Sequence, residues 1–161
     1  MYLISLPEDQ KGVFRKYTIE STVVFGRKTL LTFRDQKLLP KRKNIILTRN
    51  PEFEKEGAII LHSIDEVKEY ETNHPDEKIF IIGGAEVYKT MLPLCDEAII
   101  TYIKEEFEAD AYFPNLDENK DWELVDVEPE ILSEKGVTFE VRHYARIPEE
   151  AKHLYPQFTN D

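Results

Sequence analysis

The most constraining feature of this sequence is a repeated alternation between short, β-branched apolar runs and segments with helical patterning. Alternation of this kind is typical of an α/β domain, because each apolar strand is covered by helices that pack on the sheet. We interpret as strands, in chain order, residues 22–26, 44–48, 58–62, 78–82, 97–103, 122–128 and 137–145. Helices are predicted over residues 7–17, 27–33, 64–71 and 85–92.

The composition of these strands predicts a mixed sheet. Residues 58–62, 78–82 and 97–103 are nearly all apolar, as strands covered on both faces must be. Residues 137–145 instead alternate between apolar and polar side chains, which indicates an antiparallel strand. We therefore predict one α/β domain over residues 1–146, with a mostly parallel central sheet flanked by helices, and a C-terminal tail over residues 147–161.

Charge and cysteine content exclude several classes of partner. The chain has 21 basic and 32 acidic side chains and a formal net charge of −11, which argues against binding to nucleic acid or to an anionic membrane. The single cysteine, Cys95, cannot form an internal disulfide, so we predict a cytoplasmic protein. The four histidines never fall at metal-ligand spacing, and we predict no metal site.

Two predicted strand-to-helix junctions carry the patterns of phosphate sites. Gly26 ends the first, and Arg27, Lys28 and Thr29 open the helix that follows. Unpaired backbone amides and the positive end of the helix dipole face outward at such a point, and two cations and a hydroxyl favour a bound phosphate.

The second junction contains the adjacent pair Gly83 and Gly84, which lets the backbone approach a ligand closely. Two such junctions in one domain suit a dinucleotide that contains a pyrophosphate. The alternative is that each glycine only terminates a strand. Neither junction matches the G-x-G-x-x-G fingerprint of an ordinary Rossmann domain.

The segment around Asp9 is a candidate for proton transfer. Ser5 and Glu8 have the spacing of a capping box, which places Asp9 in the first turn of a helix and Val13 on the same face. If this face is buried, the pKa of Asp9 rises and the carboxyl group can relay a proton near neutral pH. Alternatively, Asp9 only complements the helix dipole.

Taken together, several motifs resemble bacterial dihydrofolate reductases in their order and spacing. They are LPED (residues 6–9), VVFGRKT (23–29), LLPKRKNIILTRN (38–50), LHS (61–63), IIGGAEVY (81–88), LPLCDEAIITYI (92–103) and FEADAYFP (107–114). The resemblance extends over residues 3–146 and implies the fold of that family. It also implies reduction of dihydrofolate to tetrahydrofolate with NADPH as cofactor.

The resemblance assigns the substrate site residue by residue. Asp9 would hold the pterin ring and, with a water, support its protonation, and Thr101 would be the hydroxyl partner of that carboxylate. Arg42 would bind the α-carboxylate of the substrate's glutamate, a role suited to a bidentate guanidinium. The apolar substrate contacts would come from Ile4, Val13, Phe14, Phe33, Leu39 and Ile82.

The resemblance also assigns the NADPH site, in three parts. Arg27, Lys28 and Thr29 would form the phosphate-binding helix start. Positions near the 2′-phosphate and the adenine would be Thr48, Arg49, His62 and Ser63. The pyrophosphate and nicotinamide would lie along Gly83, Gly84, Ala85, Glu86, Val87 and Tyr88, and a cis peptide would join the two glycines.

The chain departs from the family pattern at its beginning. Family members start with a central strand and a mobile loop that cover the pterin and nicotinamide, and both are expected to be missing here, since residues 2–4 match the end of that loop. Ile4 also stands where a tryptophan is frequent. Of three explanations we favour a sequence that begins late. The others are that the tail fills the gap in a monomer or that a second copy completes the sheet in a dimer.

A second departure is one extra residue between Asp9 and Phe14. A regular helix would rotate Phe14 away from the face that carries Asp9. We predict that a π-bulge near Gly12 absorbs the insertion, whereas the alternative is that Val13 takes the place of Phe14.

Two other functions remain open at this point. The chain could be a non-catalytic relative that lost activity with its first strand. It could also resemble a reductase of the riboflavin pathway, although Asp9 and Arg42 match the folate contacts and argue against that function.

Overall fold

A computed structural model of the chain describes residues 1–5, 11–103, 116–132 and 138–148. Its strands are β1 (Tyr2–Ile4), β2 (Thr22–Gly26), β3 (Lys43–Leu47), β4 (Ala58–Leu61), β5 (Ile79–Gly83), β6 (Glu97–Ile103), β7 (Trp122–Val127), β8 (Ile131–Leu132) and β9 (Thr138–Arg146). The seven predicted strands are confirmed to within one residue at either end, whereas β1 and β8 were not predicted.

The α-helices are α1 (Lys11–Thr18), α2 (Arg27–Leu30), α3 (Ile64–Asn73) and α4 (Ala85–Met91). Short 3-10 turns cover Arg34–Gln36, Leu92–Leu94 and Leu116–Glu118. The helix predicted over residues 27–33 is only one turn long: it ends at Leu30, residues 31 and 32 form a turn, and the backbone of Phe33 is extended. None of the described helices is long and apolar enough to cross a membrane.

The strands form one mixed sheet with the order β4-β3-β2-β5-β1-β6-β9-β7, and β8 pairs with β9. Neighbours from β4 to β6 are parallel, whereas β9 is antiparallel to β6, β7 and β8. The predicted mostly parallel, mixed sheet is therefore confirmed. Strand β4 lies at an edge and is only partly buried, so the prediction that residues 58–62 are covered on both faces is wrong.

The prediction that the first strand is missing is wrong. Strand β1 lies in the centre of the sheet and pairs in parallel with both β5 and β6. Leu3 and Ile4 are buried. Three residues are too few to show a pattern in sequence, and only pairing on both sides reveals them as a strand.

The core is divided between the two faces of the sheet. Consecutive strand residues point to opposite faces, so Leu3 and Ile81 join one apolar cluster, whereas Ile4 and Ile82 join the other. Helices α3 and α4 contribute to the cluster that contains Leu3, and α1 and α2 contribute to the cluster that contains Ile4. We call the second cluster the α1-side cluster.

The described part of helix α1, residues 11–18, is regular and places Phe14 in the core. Residues 11–18 are all α-helical, so the predicted π-bulge near Gly12 is wrong for the described part of this helix. Phe14 is nevertheless buried, at 6% exposure, and Val13 is half-buried beside it. Two adjacent positions of a straight helix therefore face the sheet together.

Candidate active site

The two glycine junctions lie side by side in the structure. Strands β2 and β5 are parallel neighbours, and their carboxyl ends meet at the same edge of the sheet, with Phe25 opposite Gly83. A Cβ atom placed on Gly26 would lie 3.1 Å from Cγ2 of Val87 on α4. One placed on Gly84 would lie 3.3 Å from the hydroxyl of Thr29 on α2. The starts of α2 and α4 thus lie close together, and glycine at positions 26 and 84 leaves room for this approach.

Neither of these two helix starts is capped by a side chain. The N-cap residues are Gly26 for α2 and Gly84 for α4, and no side-chain hydrogen bond caps either helix. In contrast, the hydroxyl of Ser63 accepts a hydrogen bond from the amide of Glu66 at the start of α3. Backbone amides at the starts of α2 and α4 are consequently available to an anionic ligand. The peptide between Gly83 and Gly84 is cis, as the resemblance implies.

A hydrogen bond links the predicted cofactor site to the predicted substrate site. The hydroxyl of Tyr88, on α4, donates to the backbone carbonyl of Ile4 at 2.8 Å, and both residues are buried. A Cβ on Gly83 would lie 3.6 Å from that same hydroxyl. The end of β1 therefore meets the Gly-Gly turn.

Thr101 lies next to the segment that leads to Asp9. Its amide donates to the hydroxyl of Ser5 at 2.8 Å, and the amide of Ser5 donates to the carbonyl of Ile99 on β6. The side chain of Thr101 is half-buried. Asp9 itself lies outside the described residues, so its predicted role stays a prediction.

The predicted apolar substrate contacts are brought together by the fold. All six belong to or pack against the α1-side cluster: Ile4, Val13, Phe14, Phe33, Leu39 and Ile82. They come from β1, α1, β5 and the segment between α2 and β3, which are far apart in sequence. One face of the sheet thus carries a continuous apolar surface beside the carboxyl end of β1.

Arg42 lies at the border of this apolar surface. Its Nε donates to the hydroxyl of Thr18 at 3.0 Å and one terminal nitrogen donates to the carbonyl of Pro40 at 3.1 Å. The guanidinium carbon is 5.8 Å from the centroid of the Phe14 ring. Burial, and then the charge of Arg15, lower the pKa of Arg42, but an arginine stays protonated at neutral pH. The positive charge of Arg42 is therefore held beside the ring of Phe14.

Sequence inspection missed the residue that holds Arg42 in place. Asn44 is buried at 3% exposure, and its amide group donates to the carbonyls of Leu39 and Arg42 and accepts from the amide of Leu39. The three bonds fix the segment before β3. An asparagine inside an otherwise apolar strand was the available signal, because such residues are rare in strands.

Residues predicted to lie near the 2′-phosphate are partly brought together at the ends of β3 and β4. The Nδ1 atom of His62 is 2.9 Å from the carbonyl oxygen of Thr48, and Ser63 caps α3 as described above. Arg49 and Arg27 are exposed, and Arg27 lies 5.8 Å from the ring centroid of Phe53.

The remaining predicted cofactor residues are divided by exposure. Lys28, Ala85 and Glu86 are exposed at the helix starts, whereas Val87 is half-buried and Tyr88 is buried. Among the residues that the structure describes, no cluster of histidine, cysteine and acidic side chains is arranged to hold a metal.

A polar cluster that the sequence did not indicate anchors the last turn of α1. The hydroxyl of Tyr17 donates to the carboxylate of Glu128, and Nε2 of His143 is 2.6 Å from the same carboxylate. Burial by itself raises the pKa of Glu128, but the hydrogen bonds to Tyr17 and His143 outweigh it and leave the pKa lowered. Burial and the bond to Glu128 raise the pKa of Tyr17. This cluster ties α1 to β9 and to the end of β7.

The comparisons with known proteins agree on one family. The family model described as dihydrofolate reductase matches residues 2–146. The chain is 37% identical to the dihydrofolate reductase of Bacillus subtilis over 131 residues, which are 81% of this chain and 74% of the relative. It is 34% identical to the dihydrofolate reductase of Staphylococcus aureus over 131 residues, which are 81% of this chain and 77% of the relative.

A solved structure is similar to nearly the whole chain. It is the dihydrofolate reductase from Enterococcus faecalis complexed with NADP(H) and RAB-propyl. The TM-score is 0.76 at 30% sequence identity, and the match covers 92% of this chain and 97% of the other.

Proposed function

We propose a function for this chain from the premise that it belongs to the dihydrofolate reductase family. The chain reduces 7,8-dihydrofolate to 5,6,7,8-tetrahydrofolate with NADPH. The cofactor follows from the relative that is complexed with NADP(H). The substrate follows from the relatives' name and from the residues that match the family's folate contacts.

The observation that carries the proposal is the contact between the two predicted sites at the end of β1. Tyr88 belongs to the predicted cofactor segment, and its hydroxyl donates to the carbonyl of Ile4, which belongs to the predicted substrate surface. Hydride transfer requires the two reactants to be held in contact, and a shared border supplies that arrangement. The central position of β1 also removes the reason to invoke a second copy that completes the sheet.

The residues at the cofactor side fit a dinucleotide. The glycine junctions leave backbone amides that no side chain caps, and side chains at Gly26 or Gly84 would intrude on the opposite junction. Arg27 and Lys28 supply positive charge there, which an anion needs in a chain of net charge −11. When bound, NADPH supplies the hydride. The chain's own residues hold its phosphates at the helix starts and exclude water along Val87 and Tyr88.

On the substrate side, the apolar α1-side cluster holds the ring system, and Arg42 binds the α-carboxylate of the glutamate. Asp9 holds the pterin and supports protonation of the ring nitrogen. Thr101, which neighbours Ser5, positions that carboxylate. An apolar environment raises the pKa of a carboxyl group, which suits Asp9 to proton transfer near neutral pH.

We further propose that residues 1–146 act as one domain with residues 147–161 as a tail, and that the protein is a cytoplasmic monomer. The single buried cysteine is compatible with a reducing compartment.

The direct test is to mix the purified chain with NADPH and dihydrofolate, follow the loss of NADPH absorbance, and identify tetrahydrofolate as the product. Loss of NADPH that depends on dihydrofolate supports the proposal. If NADPH binds with no turnover, the chain is a non-catalytic member of the family and the proposed activity is refuted.

A further inference from the structure

The polar cluster at the last turn of α1 lies outside the proposed substrate and cofactor contacts. The hydroxyl of Tyr17 and Nε2 of His143 meet at the same carboxylate oxygen of Glu128. The side chains of Glu128 and His143 are only 19% and 23% exposed. Because an ionised carboxylate only accepts hydrogen bonds, both partners donate to it. Donors from α1 and from β9 thus converge on one oxygen of a residue that directly follows β7.

A second polar link leaves α1 at the next residue and reaches the other half of the sheet. The hydroxyl of Thr18, which is fully buried, accepts from Nε of Arg42 at 3.0 Å and donates to the carbonyl of Phe14 at 2.8 Å. Arg42 directly precedes β3, whereas His143 lies on β9, and the sheet order places β2, β5, β1 and β6 between these two strands. Adjacent residues therefore hold the last turn of α1 between two distant strands.

These links account for the polar attachment of the helix. Within residues 11–18, only Lys16, Tyr17 and Thr18 form side-chain hydrogen bonds or ion pairs with another described element. The ammonium of Lys16 is 3.7 Å from the other oxygen of Glu128, but the lysine side chain is 65% exposed. An exposed ion pair of this kind contributes little. Tyr17 is therefore the main polar link from α1 to β7 and β9.

The predicted substrate contacts of α1 lie one turn before these links. Val13 and Phe14 precede Tyr17 by four and three residues, so the three side chains are neighbours on the helix surface. All three belong to or pack against the α1-side cluster. A tilt or rotation of the last turn would move the ring of Phe14 and the hydroxyl that accepts from Arg42 together. The placement of both substrate contacts therefore depends on how this turn is held.

We propose that Tyr17 is a positioning residue for the substrate. Its bond to Glu128, which His143 holds in place, sets the last turn of α1 so that Phe14 and Arg42 face the same ligand. The inference rests on the proposed function, because these two residues are its predicted substrate contacts. The predicted cofactor site lies at the starts of α2 and α4, so the binding of NADPH does not depend on Tyr17.

The test measures Kd and KM for dihydrofolate and for NADPH in the parent protein, in Tyr17→Phe and in His143→Leu. Each variant should raise both constants for dihydrofolate about fivefold, equivalent to roughly 1 kcal/mol, and leave those for NADPH unchanged. In His143→Gln the side-chain amide can still donate to the carboxylate, so the constants for dihydrofolate should stay within about twofold of the parent values.

A double-mutant cycle tests whether the two links act through one turn. Thr18→Val removes the acceptor of Arg42 and should by itself raise Kd for dihydrofolate about fivefold. In that background Tyr17→Phe should add less than about twofold, because the turn is already released on one side. Independent effects, with a total loss of about 25-fold in the double variant, would contradict a shared turn.

Tyr144→Phe is the matched control. Tyr144 also lies on β9 and donates to a carboxylate, that of Asp117 at 2.7 Å, but it belongs to the apolar cluster on the other face of the sheet. This variant should lower the urea midpoint, as Tyr17→Phe does, and leave Kd for dihydrofolate unchanged. The inference is overturned by an unchanged Kd for dihydrofolate in Tyr17→Phe, by an equal loss for NADPH, or by the same loss in Tyr144→Phe. If Tyr17→Phe does not fold, His143→Leu decides, because it keeps Tyr17 and removes a bond to the same carboxylate.

Calorimetry separates this inference from the proposed function. If the parent binds dihydrofolate without turnover, the proposed activity fails, and the Kd values still decide the role of Tyr17. If the parent does not bind dihydrofolate, Tyr17 positions no substrate contact, and the inference fails together with the proposed function.

Discussion

The contact between Gly26 and Val87 predicts a specific cost for adding a single methyl group. An alanine Cβ at position 26 would lie 3.1 Å from Cγ2 of Val87, whereas carbon atoms attract best at about 3.5–4.0 Å. The backbone of Gly26 has φ −83° and ψ 162°, which any residue adopts, so strain from the backbone does not contribute. The clash is with the first turn of α4.

Two opposing magnitudes set the size of the effect. Overpacking of this kind costs about 1–3 kcal/mol. Replacing glycine by alanine, in contrast, stabilises the folded state by about 0.4–1 kcal/mol, because it reduces the conformational entropy of the unfolded chain. Gly26→Ala should therefore lower the free energy of unfolding by about 1 kcal/mol, or the melting temperature by about 3 °C for a chain of this size. Affinity for NADPH should fall as well, because the start of α4 is displaced.

A double-mutant cycle with Val87→Ala isolates the cause. Val87→Ala removes the methyl groups that meet the new Cβ, so Gly26→Ala should cost nothing, or stabilise slightly, in that background. The measurements are urea unfolding and NADPH titration for the parent, both single variants and the double variant. A coupling energy of about 1 kcal/mol or more is expected. If the two changes are additive within about 0.5 kcal/mol, the steric explanation is refuted.

Three further predictions address the proposed chemistry and the anchoring of α1. Asp9→Asn should reduce hydride transfer at neutral pH without changing the urea midpoint, and equal rates in variant and parent would remove Asp9 from the mechanism. Arg49→Gln, at a position assigned near the 2′-phosphate, should weaken NADPH about tenfold, equivalent to about 1.4 kcal/mol, and weaken NADH less, since NADH lacks the 2′-phosphate. An equal loss for both cofactors would contradict that assignment. Glu128→Gln should destabilise the protein by roughly 1 kcal/mol at neutral pH, because the hydrogen bonds to Tyr17 and His143 lower the pKa of Glu128 below that of a free glutamate, about 4.3, despite burial. The parent's advantage is complete above the pKa of the unfolded state and is lost as pH falls through the lower pKa of the folded state, so urea unfolding should give a difference that shrinks below about pH 4.3. A pH-independent difference would contradict the charged hydrogen-bond explanation.

Local patterns in the sequence were sufficient to predict most of the elements. The alternation of apolar runs located β2, β5 and β6, because strands buried on both faces need unbroken apolar side chains. The glycine junctions were likewise visible, since a close approach of two backbones permits few other residues. The motifs that resemble dihydrofolate reductases then linked these elements to one family, which the comparisons confirm.

The tertiary structure decided what depends on partners distant in the chain. Strand β1 has only three residues and is defined by β5 and β6 on either side, so the sequence wrongly placed those residues at the end of a loop. Phe14 was expected to need a π-bulge, but residues 11–18 form a regular α-helix in which Phe14 and Val13 both pack in the α1-side cluster. The role of Asn44 depends on its hydrogen bonds to the carbonyls of Leu39 and Arg42, which only the structure reveals.

The sequence by itself thus determined the fold class, the two junctions and the family, because periodicity and backbone permissiveness are properties of neighbouring residues. Only the fold decided that Gly26 meets Val87, that Tyr88 donates to Ile4 and that Arg42 lies beside the ring of Phe14. Contacts of this kind join residues tens of positions apart. They exist only after the sheet has brought its strands into register, which local propensity does not encode.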